Sequence, residues 1–148
     1  MRRYLEDLQV GDTVLSHRVT LSEVESLDFA RRYDPQPMHT DPRAAAGPFH
    51  GLIASGWHTA ALMMRMIVDA DPLGGGEILG VGVDQLRWPA PVRPGDTLQT
   101  EVNVGALRPS QSNPNFGVVR LDVTVRNRNG EVVLTANPNC WVPRRSQE

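Results

Sequence analysis

Between Gly51 and Ala70 the chain runs GLIASGWHTAALMMRMIVDA, apolar almost all round. At helical spacing such a stretch has no wet face, so it must be surrounded, and in one small domain only a sheet can do that. Its uninterrupted apolar part, Gly51 to Met64, covers fourteen residues before Arg65. That length suits a buried core helix and falls short of a membrane span. The whole chain has 148 residues, so residues 1–148 are expected to form a single domain. A chain of this size buries roughly two thirds of its unfolded surface, enough for a core without metal or disulfide.

The remaining segments supply the sheet. Residues 13–21 place Leu15, Val19 and Leu21 on one face at period two, with His17 among them, and read as a first strand. Ser22 and Glu25 form an S-x-x-E capping box ahead of Val24, Leu27 and Ala30 at helical spacing. That helix is expected to stop at Asp34, because Pro35 disfavours the α region for the residue before it. A short helix is expected from an Asp41 N-cap through Pro42 and Ala44–Ala46, ended by Gly47 and Pro48. After the apolar helix, Leu79, Val81 and Val83 alternate, as do Leu98, Val102 and Val104. Val119, Leu121, Val123 and Val125 alternate against Arg120, Asp122, Thr124 and Arg126, a strand with one wet face. Asn129-Gly130 predicts a hairpin turn into a last strand over 131–142, where Pro138 implies an edge or a bulge. Helices early and strands late argue for an α+β fold with an antiparallel sheet. A sheet curled around one long central helix is the hotdog arrangement.

Charge and composition exclude several function classes. Seventeen acids oppose fifteen bases, so no basic bias points to nucleic acid. All fifteen bases are arginine, which removes lysine Schiff-base chemistry and a Walker-type lysine. One cysteine, Cys140, excludes an internal disulfide framework and a cysteine-based zinc cluster. The four histidines lack metal-ligand spacing, and no cofactor is expected. Gly74-Gly75-Gly76 reads as a connection and not a phosphate loop. The N-terminal MRRYLEDLQVGD lacks the apolar run of a secretory peptide, so a cytoplasmic protein is expected, with no membrane partner.

The chemistry-bearing residues lie in two places. Asp34 and His39 stand in Tyr33-Asp-Pro-Gln-Pro-Met-His39, where Pro35 and Pro37 fix two φ angles and stiffen the segment. A carboxylate and an imidazole so held can share one water, one accepting its proton while the other polarises it or protonates a substrate. On spacing alone the same residues also describe a proline-rich turn with a capping Asp and a surface His. Eleven residues on, His50-Gly51 stands at the expected start of the apolar helix, where free N–H groups and the helix dipole favour a polarised carbonyl oxygen. Gly51 equally suits close packing.

Together these residues resemble a known family. Phe29-x(4)-Asp34-x-x-Pro37-x-His39, followed by Phe49-His50-Gly51-Leu52, is similar to the hydratase-2 motif of MaoC-like (R)-specific enoyl-CoA hydratases. Arg87-Trp88-Pro89-Ala90-Pro91-Val92-Arg93-Pro94-Gly95-Asp96-Thr97-Leu98 resembles that family's F-x-x-P-V-x-P-G-D-x-L strand–turn–strand. The resemblance implies a hotdog fold that dimerises, often with the sheets edge to edge, and a hydro-lyase converting trans-2-enoyl-CoA to (R)-3-hydroxyacyl-CoA. It implies Asp34 as base on the attacking water, His39 sharing that water and helping to protonate the α-carbon, and the Gly51 N–H on the thioester enolate oxygen. One position departs from the family: Gln36 stands where Asn is usual, and its longer side chain places its amide differently.

Other residues take supporting parts. Gln36, His50, Ser55 and Thr59 are candidate substrate-binding residues; Ser55 and Thr59, at i and i+4, either line an acyl tunnel or make a tight helix–sheet contact. Trp57 and His58 are expected at packing or interface positions, and His17 in the core. Arg108–Asn115 reads as a long solvated hairpin loop. Two further function classes stand beside the hydratase: a hotdog acyl-CoA thioesterase, and a non-catalytic acyl-CoA-binding subunit. A homodimer or larger homo-oligomer is expected, because an open sheet edge needs covering.

Overall fold

Period-two alternation becomes strand pairing. The computed structural model describes residues 1–43, 47–75 and 77–145. Six strands form one antiparallel sheet: β1 (Thr13–Leu15), β2 (Val19–Thr20), β3 (Leu79–Arg87), β4 (Thr97–Pro109), β5 (Phe116–Asn127) and β6 (Val132–Pro143). The order is β1-β4-β5-β6-β3, with β2 also pairing β4. Among the described residues, three α-helices, α1 (Glu23–Tyr33), α2 (Pro37–Thr40) and α3 (Gly56–Ala70), lie between β2 and β3 in the chain. The result is the α+β hotdog arrangement, an antiparallel sheet packed on one long helix.

The core is where the apolar sides of strands and helix meet. Val119, Leu121, Val123 and Val125 of β5 and Leu98, Val102 and Val104 of β4 are buried with Met63, Met66 and Ile67 of α3. Burying each such side chain contributes about 1.5–3 kcal/mol. The Thr100 hydroxyl donates to Met66 Sδ at 3.4 Å, a direct link from β4 to the helix. Asn127 and Glu131 close the β5–β6 hairpin, with Gly130 at φ 79° supplying the left-handed turn position.

Several expectations need correction. The first strand is broken into β1 and β2, because the Ser16 hydroxyl accepts from the Thr100 N–H at 2.9 Å and takes over one ladder position. The break turns Leu15 outward, 60 % exposed. It also leaves His17 at the surface, with Nε2 3.7 Å from an Asp69 carboxylate oxygen. Pro138 lies in an inner strand and not at an edge, opposite Val83; β3 is bulged on both sides of that pair, and β6 carries its own irregularity between Val132 and Leu134. The single-turn helix α2 starts at Pro37 and ends before Asp41. Asp41 instead accepts from the Arg43 N–H at 2.9 Å, and Ala44–Ala46 of the expected short helix lie outside the described residues.

The central helix also starts later than its composition predicts. The Ile53 N–H donates to the Met38 carbonyl and the Ala54 N–H to the Val92 carbonyl, so residues 51–55 are stitched to neighbouring loops as non-helical chain. Ser55 is the N-cap and Gly56 the first helical residue. Nor is α3 covered all round. Thr59, Met63, Met66 and Ile67 are buried, while Trp57, Met64 and Val68 stay 42–59 % exposed. No helix of the described residues is long and apolar enough to cross a membrane.

Candidate active site

Capping and proline chemistry deliver the two titratable groups. Ser22 caps α1 by accepting from the Glu25 N–H at 3.1 Å, and the helix runs to Tyr33. Asp34 closes it: its N–H donates to the Ala30 carbonyl, and Pro35 stops the helix there. Pro37 then takes the first position of α2, where its missing N–H costs nothing, and that one turn carries His39 inward to 5 % exposure.

The two groups meet at hydrogen-bonding range. His39 Nδ1 donates to the Ile53 carbonyl at 2.8 Å; a carbonyl only accepts, so Nδ1 holds the proton. Nε2 is left facing Asp34 Oδ2 at 3.3 Å. The Ser55 hydroxyl donates to the same Oδ2 at 2.7 Å, and the Gln36 amide to Oδ1 at 2.6 Å. Chiefly through the Gln36 bond, the Asp34 carboxyl is held below its ordinary pKa; partial burial opposes this, and Ser55 and the charge of His39 add to it.

Asp34 and His39 open on a cleft of about 530 Å³. Its other walls are apolar: Met38, Phe49, Ile53, Trp57, Trp88 and the run Pro89–Val92, with Gln36, Gly56 and Thr59. Such a cavity, apolar with a few convergent polar groups, fits a small-molecule site. Gly56 lines it at the first turn of α3. The His58 and Thr59 N–H groups bond the Ser55 carbonyl, so helix geometry leaves the Gly56 and Trp57 amides without an intrahelical acceptor.

Asp34, Gln36, His39 and Thr59 therefore come together at the cleft. Ser55 does not line it with Thr59; fully buried, it stands behind Asp34 as a hydrogen-bond donor. His50 is exposed, and neither it nor Gly51 is among the lining residues. Both lie ahead of α3, at φ 55° and 128°, so the Gly51 N–H is not at the helix terminus. His58 packs: its ring stacks on Phe29 at 4.5 Å, and burial lowers its pKa against the opposing charge of Glu25. Sequence reasoning passed over Trp88 as a cleft residue, although it stands in the W-P-A-P-V run. Its indole N–H donates to the Gly56 carbonyl at 2.8 Å, and its ring meets Trp57 edge-on at 5.2 Å.

Comparison with known proteins gives the same picture over most of the chain. The family model described as MaoC like domain matches residues 7–127. The chain is 32 % identical over 147 residues to 3-hydroxybutyryl-CoA dehydratase of Methylorubrum extorquens, covering 97 % of this chain and 87 % of that protein. Among solved structures it is similar to the MaoC-like dehydratase from Rhodospirillum rubrum, with 44 % identity, a TM-score of 0.90 and coverage of 97 % and 99 % of the two chains. It is also similar to the unliganded R-hydratase PhaJ1 from Pseudomonas aeruginosa, with 28 % identity, a TM-score of 0.79 and coverage of 97 % and 88 %. Motif order, fold and matched length agree, and the chain belongs to the MaoC-like domain family.

Proposed function

We propose that this protein adds water reversibly across the 2,3 double bond of an enoyl-CoA thioester to give an (R)-3-hydroxyacyl-CoA. The observation that carries this reading is the Asp34–His39 pair, 3.3 Å apart on a mostly apolar cleft. A water held between Asp34 and His39 Nε2 attacks C3 and gives its proton to the pair. The electron pair of the double bond moves through C2 onto the thioester oxygen, forming an enolate. The pair then returns a proton to C2, and the sum is one water added. Asp34 is the base, kept ionised by its Gln36 and Ser55 donors; His39, oriented by the Ile53 carbonyl, shares the water and the returning proton.

The enolate oxygen needs donors aimed at it. Resemblance points to the Gly51 N–H, which lies off the cleft lining; the Gly56 and Trp57 amides stand at the positive end of α3, on the cleft wall. We assign the oxyanion to those two amides, and Thr59 with the apolar walls to the acyl group. The dehydratase and R-hydratase names of the relatives support this class of reaction.

The test is ultraviolet loss of the conjugated absorbance of crotonyl-CoA, with wild type beside Asp34→Asn. Wild type is expected to remove the absorbance, and the variant to be slower by about 100-fold or more. Release of free thiol without hydration would make the protein a thioesterase. No loss with any enoyl-CoA length would leave a binding role, and equal loss in both proteins would remove Asp34 as the base.

A further inference from the structure

The loop that carries His50 and Gly51 is strained and needs a restraint. His50 is in the left-handed region at φ 55°, which is unfavourable for a residue with a side chain, and Gly51 follows at φ 128°. The restraint comes from the turn ahead of β4. Arg93 Nη2 donates to the Phe49 carbonyl at 2.7 Å. Arg93 Nη1 is buried without a hydrogen-bond partner among the described residues, and a Cβ built on Gly51 would stand 3.3 Å from it. A buried donor without an acceptor is destabilising, so the guanidinium is tolerated there for what its planar fork holds in place.

Arg93 is itself well anchored. Its N–H donates to Asp96 Oδ2 at 2.9 Å, and its carbonyl accepts from the Asp96 N–H at 3.0 Å, closing the turn before β4. Its neighbour Val92 lines the cleft and accepts the Ala54 N–H at 2.7 Å. The side chain thus spans from one cleft wall to Phe49 on another.

We propose that Arg93 is a positioning residue: its guanidinium clamps the Phe49–Gly51 loop against the Val92 wall, and glycine stands at 51 to let the fork pack there. The effect on substrate binding rests on the hydratase reading above; the clamp on the loop does not.

The experiment compares wild type, Arg93→Ala and Arg93→Lys by amide hydrogen exchange and by crotonyl-CoA hydration kinetics. The reporters of the loop are the His50 N–H, bonded to the Gly47 carbonyl, and the Ile53 N–H, bonded to the Met38 carbonyl. In Arg93→Ala both are expected to exchange about tenfold faster, with KM raised about tenfold, as loss of one charged hydrogen bond implies. Because Arg93 touches no reacting atom, kcat is expected to change by less than about threefold. Arg93→Lys, which keeps the stem and charge but not the fork, is expected to fall between; should Arg93→Ala fail to fold, the lysine variant decides by the same readouts. Wild-type exchange in the variants would overturn the clamp, whatever the activity. Faster exchange in a protein that hydrates no enoyl-CoA would uphold the clamp and overturn the hydratase reading instead.

Discussion

Asp34 acts as a base only while ionised, and the groups around it set how far into acid that lasts. The Gln36 amide is the largest of them. A carboxyl whose pKa is depressed in the fold contributes stability above its unfolded pKa, and that contribution is lost as pH falls through the folded value. Gln36→Ala removes the 2.6 Å bond, so the Asp34 pKa is expected to rise and the acid limb of kcat/KM to move to higher pH. A pH–rate profile of the variant against wild type reads this directly; an unmoved limb would remove Gln36 from the account. Asp34 and His39 were legible as candidates in the sequence because the two prolines between them, Pro35 and Pro37, restrict the backbone locally. The Gln36 contact was not, since a long, flexible side chain chooses its partner from its three-dimensional neighbours. Ser55 shows the same limit: spacing pairs it with Thr59, while the fold turns its hydroxyl to Asp34.

At the scale of elements, the first turn of α3 is where sheet, helix and cleft meet. A Cβ on Gly56 would stand 2.8 Å from the Trp88 ring, so this glycine serves close approach. Gly56→Ala is therefore expected to push the indole off its bond to the Gly56 carbonyl and to destabilise the protein by about 1–3 kcal/mol, as overpacking usually does. Calorimetry would show this as a fall in Tm of roughly 2–4 °C per kcal/mol. The same substitution in a Trp88→Ala background is expected to cost much less, because the two positions share one contact. Equal cost in both backgrounds would mean that the indole is not what the glycine accommodates. The Ser22 cap, the α1 stop and the Asn129-Gly130 turn were readable because each depends on residues a few positions apart. The Ser16 break was not, because the N–H that the Ser16 hydroxyl captures belongs to Thr100, far along the chain.

For the whole molecule, the apolar surface left open is the feature with consequences. Leu79, Val81 and Val83 of the edge strand β3 are 52–60 % exposed, and Trp57, Met64 and Val68 of α3 also remain open. An edge strand with exposed apolar side chains is a pairing surface, and a second copy joined along β3 would cover it. The protein is expected to sediment as a dimer at micromolar concentration, and Val81→Arg to give a monomer with reduced hydration activity. A monomeric wild type would end that assignment. By itself the sequence determined the α+β class and the one-sided strands and singled out Asp34 and His39 as candidates, because periodicity, capping and proline restriction act over a few residues. Only the tertiary structure decided that α3 begins at Gly56, that Pro138 is tolerated in an inner strand beside a bulged partner, and that Arg93 reaches the Phe49 carbonyl. Each of those joins segments far apart in the chain, and such contacts exist only once the sheet has closed on the helix and brought their backbones together.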